Sequence, residues 1–262
     1  MGAMPKKVRI AYFLFFAFIF IVAIPTLLLY ATGYSLDDAF NLTRRGGVYV
    51  YVPEIGAQIF IGDDLRATTS RFEKEVLVKN LEAKNYLLLV SHENFWPWAK
   101  FVDVKKGEVA ARFPLLVPKI MQFEEVLKNS SDYLIAAKLF ATSTPALKVG
   151  GDIRVSASGP SIRAEWLEAT STAPYYFCEE RAVCQKNINI WTANSKIDTL
   201  DFFPGREDAV LISFDNGIYA LELDTSAYQN IYPIFRGQNP DFRISGGFVY
   251  VKDGAYIATT EL

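Results

Sequence analysis

The feature that most constrains this chain is an uninterrupted apolar run near its N-terminus. Residues 10–29 read IAYFLFFAFIFIVAIPTLLL and contain no charged side chain. An α-helix rises about 1.5 Å per residue, so a run of this length spans about 30 Å, the thickness of the hydrocarbon core of a bilayer. The run therefore predicts a transmembrane helix over residues 10–30, with the lipid bilayer as its partner.

The charges on either side of the run predict its orientation. Basic residues precede it and acidic residues follow it: Lys6, Lys7 and Arg9 on one side, Asp37 and Asp38 on the other. Cytoplasmic flanks of membrane helices are enriched in lysine and arginine. We therefore expect a cytoplasmic tail over residues 1–9 and an extracytoplasmic body, in a single-pass protein of the cell membrane.

Two other interpretations of the run stay open from the sequence alone. A buried core helix can be equally apolar, although such a long uninterrupted run is unusual for one. A cleaved signal peptide has a shorter apolar region, of about 7–15 residues. However, Ala31, Thr32 and Gly33 are small enough to form a cleavage site. We therefore expect, from the sequence alone, that the segment is retained as an anchor.

Composition narrows the function of the rest of the chain. Three of the 27 lysines and arginines lie before the run, which leaves 24 against 29 aspartates and glutamates. A nucleic-acid-binding protein needs a basic surface, so this class is excluded. Two cysteines and one histidine, His92, are too few for a Cys/His zinc site, and no Walker loop, G-x-G-x-x-G or nucleophile-elbow motif occurs. We assign no catalytic, cofactor or metal residue.

Residues 46–118 alternate short β-prone runs with turns, after a linker over residues 31–45. The runs are rich in valine, isoleucine, leucine and aromatic residues, as strands are. Predicted strands cover residues 48–52, 57–61, 75–78, 86–90, 99–104 and 109–116. Six or seven such strands in roughly seventy residues predict a small β-sandwich.

Several short motifs of this region occur in a characteristic order. They are Pro53-Glu54-Ile55-Gly56-Ala57, then Asn80-Leu81, then Asn94-Phe95-Trp96, and finally Lys105-Lys106-Gly107 between two strands. This order resembles the PEGA domain, a small β-sandwich of surface and membrane-linked proteins of prokaryotes. Two positions depart from the family pattern, because Ile55 is inserted and Asn94-Phe95 replaces the usual Gly-Tyr. The resemblance covers about a quarter of the chain. It implies a binding or structural module and supplies no catalytic residues.

Phe95, Trp96 and Trp98 form the densest aromatic cluster of the predicted sandwich. Exposed rings of this kind can stack on sugars or lie at a membrane interface, so the three are candidate ligand-facing residues. The alternative is that Phe95 and one tryptophan fill the core of the sandwich, since large aromatic residues dominate small cores. His92 is expected at the rim, without a chemical role.

Residues 151–262 have a β pattern throughout, after a second linker over residues 119–150. Asp215-Asn216-Gly217 and Lys252-Asp253-Gly254 are hairpin signals. Segments starting at Arg163, Thr199 and Pro240 recur at a spacing of just under forty residues, close to the period of β-propeller blades. Only two and a fraction blades fit, and a closed propeller needs at least four.

The chain is thus predicted to be mainly β, with a transmembrane helix, a PEGA-like sandwich and a second antiparallel domain that resembles an incomplete propeller. A second sandwich is the alternative if the repeat is fortuitous. Open sheet edges would favour oligomerisation.

Cys178 and Cys184 lie on the two arms of one predicted hairpin, whose turn covers residues 179–182. Outside the cytoplasm such a pair can be oxidised, and the alternative is two separate buried thiols. We predict a disulfide that acts as a local staple and not as a redox centre, because a hairpin lacks the helix N-terminus that activates thiols.

Three functions are compatible with these features. The first is a non-catalytic, membrane-anchored module that binds an envelope polysaccharide or a surface protein, or serves as a scaffold of the cell envelope. The second is a hydrolase of envelope polymers that uses carboxylates such as Asp201, Asp208 or Asp215, since glycosidases need only two suitably spaced carboxyls. The third is a membrane sensor or adaptor subunit, which would need a partner within the membrane because residues 1–9 are too short for an output domain. We predict the first.

Overall fold

The computed structural model describes residues 5–36, 41–143, 146–167, 172–179, 183–226 and 228–262. The protein is mainly β, as predicted, with several antiparallel sheets and one long apolar helix near the N-terminus. Its contacts divide the chain into two compact units. The first unit comprises Met1–Leu88 and Phe101–Pro114, and the second comprises Leu89–Lys100 and Leu115–Leu262.

The first unit contains the long helix and a series of short strands. In chain order they are α1 (Lys6–Ala31), β1 (Tyr34–Leu36), β2 (Leu42–Arg44), β3 (Gly46–Tyr51), β4 (Gln58–Ile61), β5 (Asp64–Thr68), β6 (Glu75–Leu81), β7 (Asn85–Ser91), β8 (Trp98–Asp103) and β9 (Val109–Arg112). The last three residues of β7 and the first three of β8 belong to the second unit. Strands β1 and β2 pair with each other inside the predicted linker.

Helix α1 is long and apolar enough to cross a membrane, and none of its residues is buried inside the chain. It begins at Lys6, before the apolar run, and continues through Pro25. It ends where Gly33 adopts a left-handed conformation with φ of 83°, which glycine takes without steric cost. The Thr32 hydroxyl donates to the carbonyl of Leu28 at 2.8 Å and so satisfies part of the last turn.

Besides the β1–β2 pair, the first unit has two larger sheets, in the orders β6-β3-β9 and β5-β4-β7-β8. Along β4 and β6 most buried residues alternate with more exposed ones, which is the pattern of strands with one face in a core. Strands β3 to β9 agree with the predicted count of six or seven, although no sequence pattern indicated β5. The parallel pairing of β3 with β9 was not predicted either.

The second unit contains one short helix and the remaining strands. They are β10 (Glu124–Glu125), α2 (Ser131–Phe140), β11 (Leu147–Gly150), β12 (Ile153–Ser158), β13 (Ser161–Trp166), β14 (Cys178–Glu179), β15 (Val183–Cys184), β16 (Asn187–Thr192), β17 (Thr199–Phe202), β18 (Ala209–Phe214), β19 (Gly217–Glu222), β20 (Ile231–Arg236), β21 (Asp241–Ser245), β22 (Phe248–Asp253) and β23 (Tyr256–Glu261). A single 3-10 turn, Tyr175–Phe177, precedes β14.

Three four-stranded antiparallel sheets organise the second unit. The first sheet is β11-β12-β13-β16, the second is β17-β18-β19-β20, and the third is β10-β23-β22-β21. Their first strands along the main repeat, β11, β17 and β21, lie next to one another, as the inner strands of successive propeller blades do. The third sheet takes its fourth strand, β10, from a segment far earlier in the chain. For this reason the sequence indicated only two and a fraction blades. Over the described residues these sheets do not close into a propeller, which needs at least four blades.

One hydrophobic core of the second unit lies between its first and second sheets. Its buried members include Val155 and Ile162 from the first sheet and Val210, Ile212 and Leu221 from the second. A smaller cluster joins α2 to the third sheet, through side chains such as Ala136 and Tyr250 on the two sides. These clusters explain why apolar residues recur along the strands of the sheets in the second unit.

The predicted linker over residues 119–150 contains β10, α2 and β11, all of which belong to the second unit. The segment from Tyr133 to Phe140, whose sequence fitted either a strand or a helix, is helical. Ser130 begins the helix, since its hydroxyl accepts a hydrogen bond from the backbone N–H of Tyr133 at 3.2 Å. The first unit also ends earlier than the predicted sandwich, because residues 89–100 and 115–118 belong to the second unit.

Two local predictions of the second domain were wrong in detail. The first arm of the predicted cysteine hairpin is not a continuous strand, because Pro174 leads into the 3-10 turn that places Phe177 in the core. In the Asp215-Asn216-Gly217 hairpin, Gly217 pairs with Phe214, so the two loop residues are Asp215 and Asn216. Asp215 takes the positive φ, at 49°. The predicted turn of the cysteine hairpin includes residues 180–182, which lie outside the described residues.

The sequence repeat is real in two of its three members. Strands β17 and β21 each contain an Asp-Phe pair whose carboxylate accepts the next backbone N–H, at 2.9 Å for Asp201 and 2.8 Å for Asp241. Each carboxylate also binds the first strand of the preceding sheet. Lys148 donates to Asp201 at 2.6 Å, and the Thr199 hydroxyl donates to Asp241 at 2.5 Å. Arg163 lies on the third strand of the first sheet, so that part of the repeat was out of phase.

Replacing Ile212 by alanine should unfold the second unit at a lower urea concentration. Ile212 is fully buried between two sheets, and the cavity that its truncation leaves costs about 2–5 kcal/mol. All 4 tryptophans lie in the second unit, so tryptophan fluorescence follows that unit alone. Val149→Ala, at a side chain that is 54% exposed, is the control and should shift the midpoint little. Equal shifts for both variants would contradict this core.

Candidate functional site

The three candidate ligand-facing aromatic residues lie in different environments. Phe95 and Trp96 are half-buried, and the Phe95 ring packs edge-to-face against His92 with 4.9 Å between centroids. Trp98 is only 2% exposed. Its ring therefore faces the interior, and a ligand at the surface would not reach it. The ligand-binding role of Phe95 and Trp96 stays a prediction.

Lys100 lies two residues after Trp98 on the same face of β8 and is fully buried. Burying an ammonium group without polar partners costs several kcal/mol. Its Nζ atom donates to the carbonyl oxygens of Asp224, at 2.6 Å, and Tyr228, at 2.8 Å. A carboxylate oxygen of Glu222 lies 3.8 Å away. The chain that connects β19 to β20 thus supplies oxygen atoms around a single buried cation.

Glu222 is itself buried, and both of its carboxylate oxygens accept hydrogen bonds. The indole Nε1 of Trp98 donates to Oε1 at 2.6 Å, and the side-chain amide of Asn230 donates to Oε2 at 2.7 Å. We call Trp98, Lys100, Glu222 and Asn230 the Lys100 cluster. Because each member satisfies another, removing one leaves a buried polar group without its partner.

Burial raises the pKa of Glu222 to about 7, although Lys100, the hydrogen bonds from Asn230 and Trp98, and Arg206 all act to lower it. A carboxyl group with this pKa exchanges its proton near neutral pH. The Lys100 cluster is therefore a buried site whose charge depends on pH in the physiological range. The hydroxyl of Tyr232 donates to the carbonyl of Pro97 at 2.9 Å beside it, and burial also raises the pKa of Tyr232.

A second carboxylate carries the polar network from the Lys100 cluster towards the surface. Asp224 is buried, and it accepts hydrogen bonds from the Tyr175 hydroxyl and from the backbone N–H of Ser226, both at 2.8 Å. Tyr175 is exposed, whereas its neighbour Tyr176 has a pKa that burial and nearby carboxylates raise. The network thus runs from a buried cation to a phenol at the surface.

Two of the three carboxylates considered for hydrolysis are held in ion pairs, and two of the three lie far apart. Asp201 is paired with Lys148, and Asp208 accepts two hydrogen bonds from the Arg206 guanidinium at 2.8 and 2.7 Å. Asp208 and Asp215 flank opposite ends of β18, and a strand of that length separates them by roughly 20 Å. Paired catalytic carboxyls of glycosidases are about 5–9.5 Å apart. The structure therefore does not bring these two acids together.

A polar cleft of about 320 Å³ lies where the second and third sheets begin. It is lined by Asp198, Thr199, Asn239, Pro240, Asp241 and Arg243. Arg243 donates to Asp241 at 2.7 Å, and its guanidinium lies over the Phe140 ring, 5.1 Å from the centroid. Asp198 and Asn239 are exposed and offer both donors and acceptors. Polar groups of this kind suit a hydroxyl-rich ligand.

Metal and thiol chemistry are both limited in the part of the chain that the structure describes. Within those residues no group of three or more His, Cys, Asp or Glu side chains is placed to hold a metal ion. The sulfurs of Cys178 and Cys184 are 2.10 Å apart, and the two residues face each other across the β14–β15 pair. The predicted pairing of the cysteines is therefore at bonding distance.

Sequence reasoning missed the Lys100 cluster because its two sides are 124 residues apart. One local signal was present. Trp98, Lys100, Val102 and Val104 alternate along one strand face, so a lysine occupies a position where the pattern calls for an apolar residue. A charged residue in the buried phase of a strand indicates a buried partner elsewhere in the chain.

Comparison with protein-family models finds no match for this chain. Comparison with curated proteins also finds no match. The resemblance to the PEGA domain therefore stays a prediction, carried by the motifs of residues 53–107.

Replacing Lys100 by methionine should destabilise the second unit by about 3–5 kcal/mol at pH 8, because it leaves the Glu222 carboxylate buried without its cation. The loss should be smaller at pH 5.5, where Glu222 is protonated. Tryptophan fluorescence in urea measures both values. Lys196→Met, at an exposed lysine, is the matched control and should have little effect. A loss in Lys100→Met that does not depend on pH would contradict the proposed pairing with Glu222.

Replacing Glu222 by glutamine should remove one component of the pH dependence of stability. The folded-state pKa of Glu222 is raised from 4.5 to about 7, so its contribution is fully present below about pH 4.5 and is lost as the pH rises through 7. The free energy of unfolding of the wild type, relative to Glu222→Gln, should fall by roughly 1–3 kcal/mol between pH 5 and 8. All other ionisable groups are common to both proteins. Parallel pH profiles would show that Glu222 titrates normally.

Proposed function

We propose that this protein is a membrane-anchored, extracytoplasmic binding or scaffold module of the cell envelope and not an enzyme. The observation that carries the proposal is α1, a helix of 26 residues with no buried residue. So large an exposed apolar surface is unfavourable in water, whereas the hydrocarbon core of a bilayer covers it. The basic residues in the first turn of α1, before the apolar run, support a cytoplasmic N-terminus.

The paired cysteines support an extracytoplasmic body. Disulfides persist in oxidising compartments and are rare in the cytosol. Cys178 and Cys184 are at bonding distance on a short hairpin, where an oxidised pair fixes the local chain. Together with the orientation of the flanking charges, this pair favours a body on the far side of the membrane.

The β architecture supports binding and not catalysis. The second unit presents a polar cleft at the start of its second and third sheets, and the resemblance of the first unit to PEGA domains implies a binding or structural role. Asp201 and Asp208, which a hydrolase would use, are each held in an ion pair. An envelope polysaccharide or a surface protein is the partner class that such a cleft and the open sheet edges favour.

Protease digestion of intact cells and of inside-out vesicles tests the orientation. We expect the body to be digested from outside in intact cells and to be protected in the vesicles. Cys178 and Cys184 should react with a maleimide only after reduction, and Cys178→Ser should expose one thiol that reacts without reduction. Protection of the body in cells, digestion in vesicles and freely reactive thiols would show that the topology is inverted and would contradict the proposed surface role.

A tag fused to the N-terminus tests whether α1 is retained. If α1 is an anchor, the tag and the body should migrate as one band and remain in the membrane fraction after carbonate extraction. A soluble body that has lost the tag would show that the segment is a cleaved signal peptide. The two outcomes separate anchoring from export alone.

A further inference from the structure

A second cleft, of about 420 Å³, lies beside the C-terminal end of α1 within the first unit. We call it the helix-end cleft. Its lining consists of residues 30–33 from the end of the helix and of Arg44, Arg45, Gly46, Gly47, Leu77, Lys79, Asn80, Gly107, Glu108 and Val109 from the sheet. The function proposed above does not use this cleft.

The helix-end cleft lies at the depth of the lipid headgroups if α1 crosses a bilayer. The apolar run ends at residue 29, and residues 30–33 continue for about 6 Å at 1.5 Å per residue. The headgroup layer extends about 5–7 Å beyond the hydrocarbon core. The backbone N–H of Arg45 donates to the carbonyl of Gly33 at 2.8 Å, and Tyr34 pairs with Arg44, so the sheet is joined directly to the helix end. This depth is the same for either orientation of the protein.

An irregularity between β3 and β6 shapes the cleft. Gly46 pairs with Leu81 and Val48 pairs with Val78, so Lys79 and Asn80 lie outside the regular ladder. Asn80 adopts a positive φ of 61°. Such bulges redirect side chains, and here they place an amine and an amide in the lining of the cleft.

Glycine forms the base of the cleft because the backbone segments approach closely there. A Cβ atom on Gly46 would collide with the carbonyl of Lys105, and one on Gly47 would lie 2.9 Å from the carbonyl of Val78. Gly107, with φ of 71°, leaves room for the Arg44 side chain, which a Cβ atom would meet at 2.7 Å. The side chain of Arg44 is thus held against a turn of the cleft.

The charge of the cleft favours an anion. Arg45 is paired with Glu82 at 3.0 Å, and Glu108 is the acidic residue of the lining. Arg44 and Lys79 have no ion-pair partner among the described residues, so two unpaired cations lie in the lining beside the single carboxylate of Glu108. Exposed apolar side chains, Leu77 and Val109, line the same space. Cations beside apolar surface match a phosphate attached to a glycerol and its acyl chains.

We propose that the helix-end cleft binds the phosphate of an anionic phospholipid headgroup from the bilayer that α1 crosses. Arg44 and Lys79 contact the phosphate, and Leu77 and Val109 contact the adjoining glycerol and upper acyl chains. The site requires α1 to span a membrane but does not depend on which side the body lies. It gives the protein a second, lipid-specific attachment next to its anchor.

Native mass spectrometry of the full chain in mild detergent tests the site. The protein is incubated with phosphatidylglycerol or with phosphatidylcholine of the same acyl chains, and the retained lipids are counted. Each basic side chain near an anionic headgroup contributes about 1 kcal/mol, so Arg44→Gln/Lys79→Gln should retain phosphatidylglycerol roughly thirtyfold less than the wild type. Lys128→Gln/Lys196→Gln makes the same change of charge at exposed lysines of the second unit and should retain it normally.

Hydrogen exchange of β3 and β6 amides shows whether the double variant is folded. The Arg44→Lys variant keeps the charge and should retain an intermediate amount of lipid.

Equal retention of phosphatidylglycerol by the double variant and by the control variant would overturn the site. Equal retention of the two lipids by the wild type would overturn the anionic preference, and complete displacement by inorganic phosphate would indicate a site for free phosphate instead. If carbonate extracts the wild type from membranes, α1 is not an anchor and the anchoring proposal is wrong. If the wild type stays in the membrane fraction but retains no phosphatidylglycerol, only the lipid site is contradicted.

Discussion

The buried ammonium group of Lys100 is the interaction on which the second unit depends most. A lysine with no exposed surface is stable only while oxygen atoms surround it, and here the carbonyls of Asp224 and Tyr228 and the Glu222 carboxylate are those atoms. The two carbonyls lie in the connection between β19 and β20, more than 120 residues further along the chain. The two carbonyls of that connection and the Glu222 carboxylate therefore share a single cation as their partner. An apolar residue at position 100 would leave these three groups without it.

The features that could be predicted from the sequence are those that depend on nearby residues. The apolar run predicts α1, the Lys252-Asp253-Gly254 turn predicts the β22–β23 hairpin, and the spacing of Cys178 and Cys184 within one hairpin predicts their pairing. Each of these rests on a few adjacent side chains or on backbone conformations that glycine allows.

The features that were missed depend on contacts between distant segments. The parallel pairing of β3 with β9, the joining of β10 to β23 and the Lys100 cluster leave little trace in any local window. The sequence of α2 is compatible with either a strand or a helix, because its apolar residues fit both patterns. Its packing on the third sheet favours the helix. The candidate site shows the same division, since Trp98 was noticed as an aromatic residue but its partner Glu222 was not.

The completion of the third sheet by β10 has a consequence for the order of folding. Strands of the second sheet, and β21 to β23, pair with neighbours a few residues away, so those hairpins can form as soon as their own residues are available. Glu124 pairs with Thr259, which closes a loop of about 135 residues. That closure joins one of the first segments of the second unit to one of its last. The β10 segment must therefore remain unpaired until β23 has been synthesised, and we expect the local sheets to form before the third sheet acquires its fourth strand.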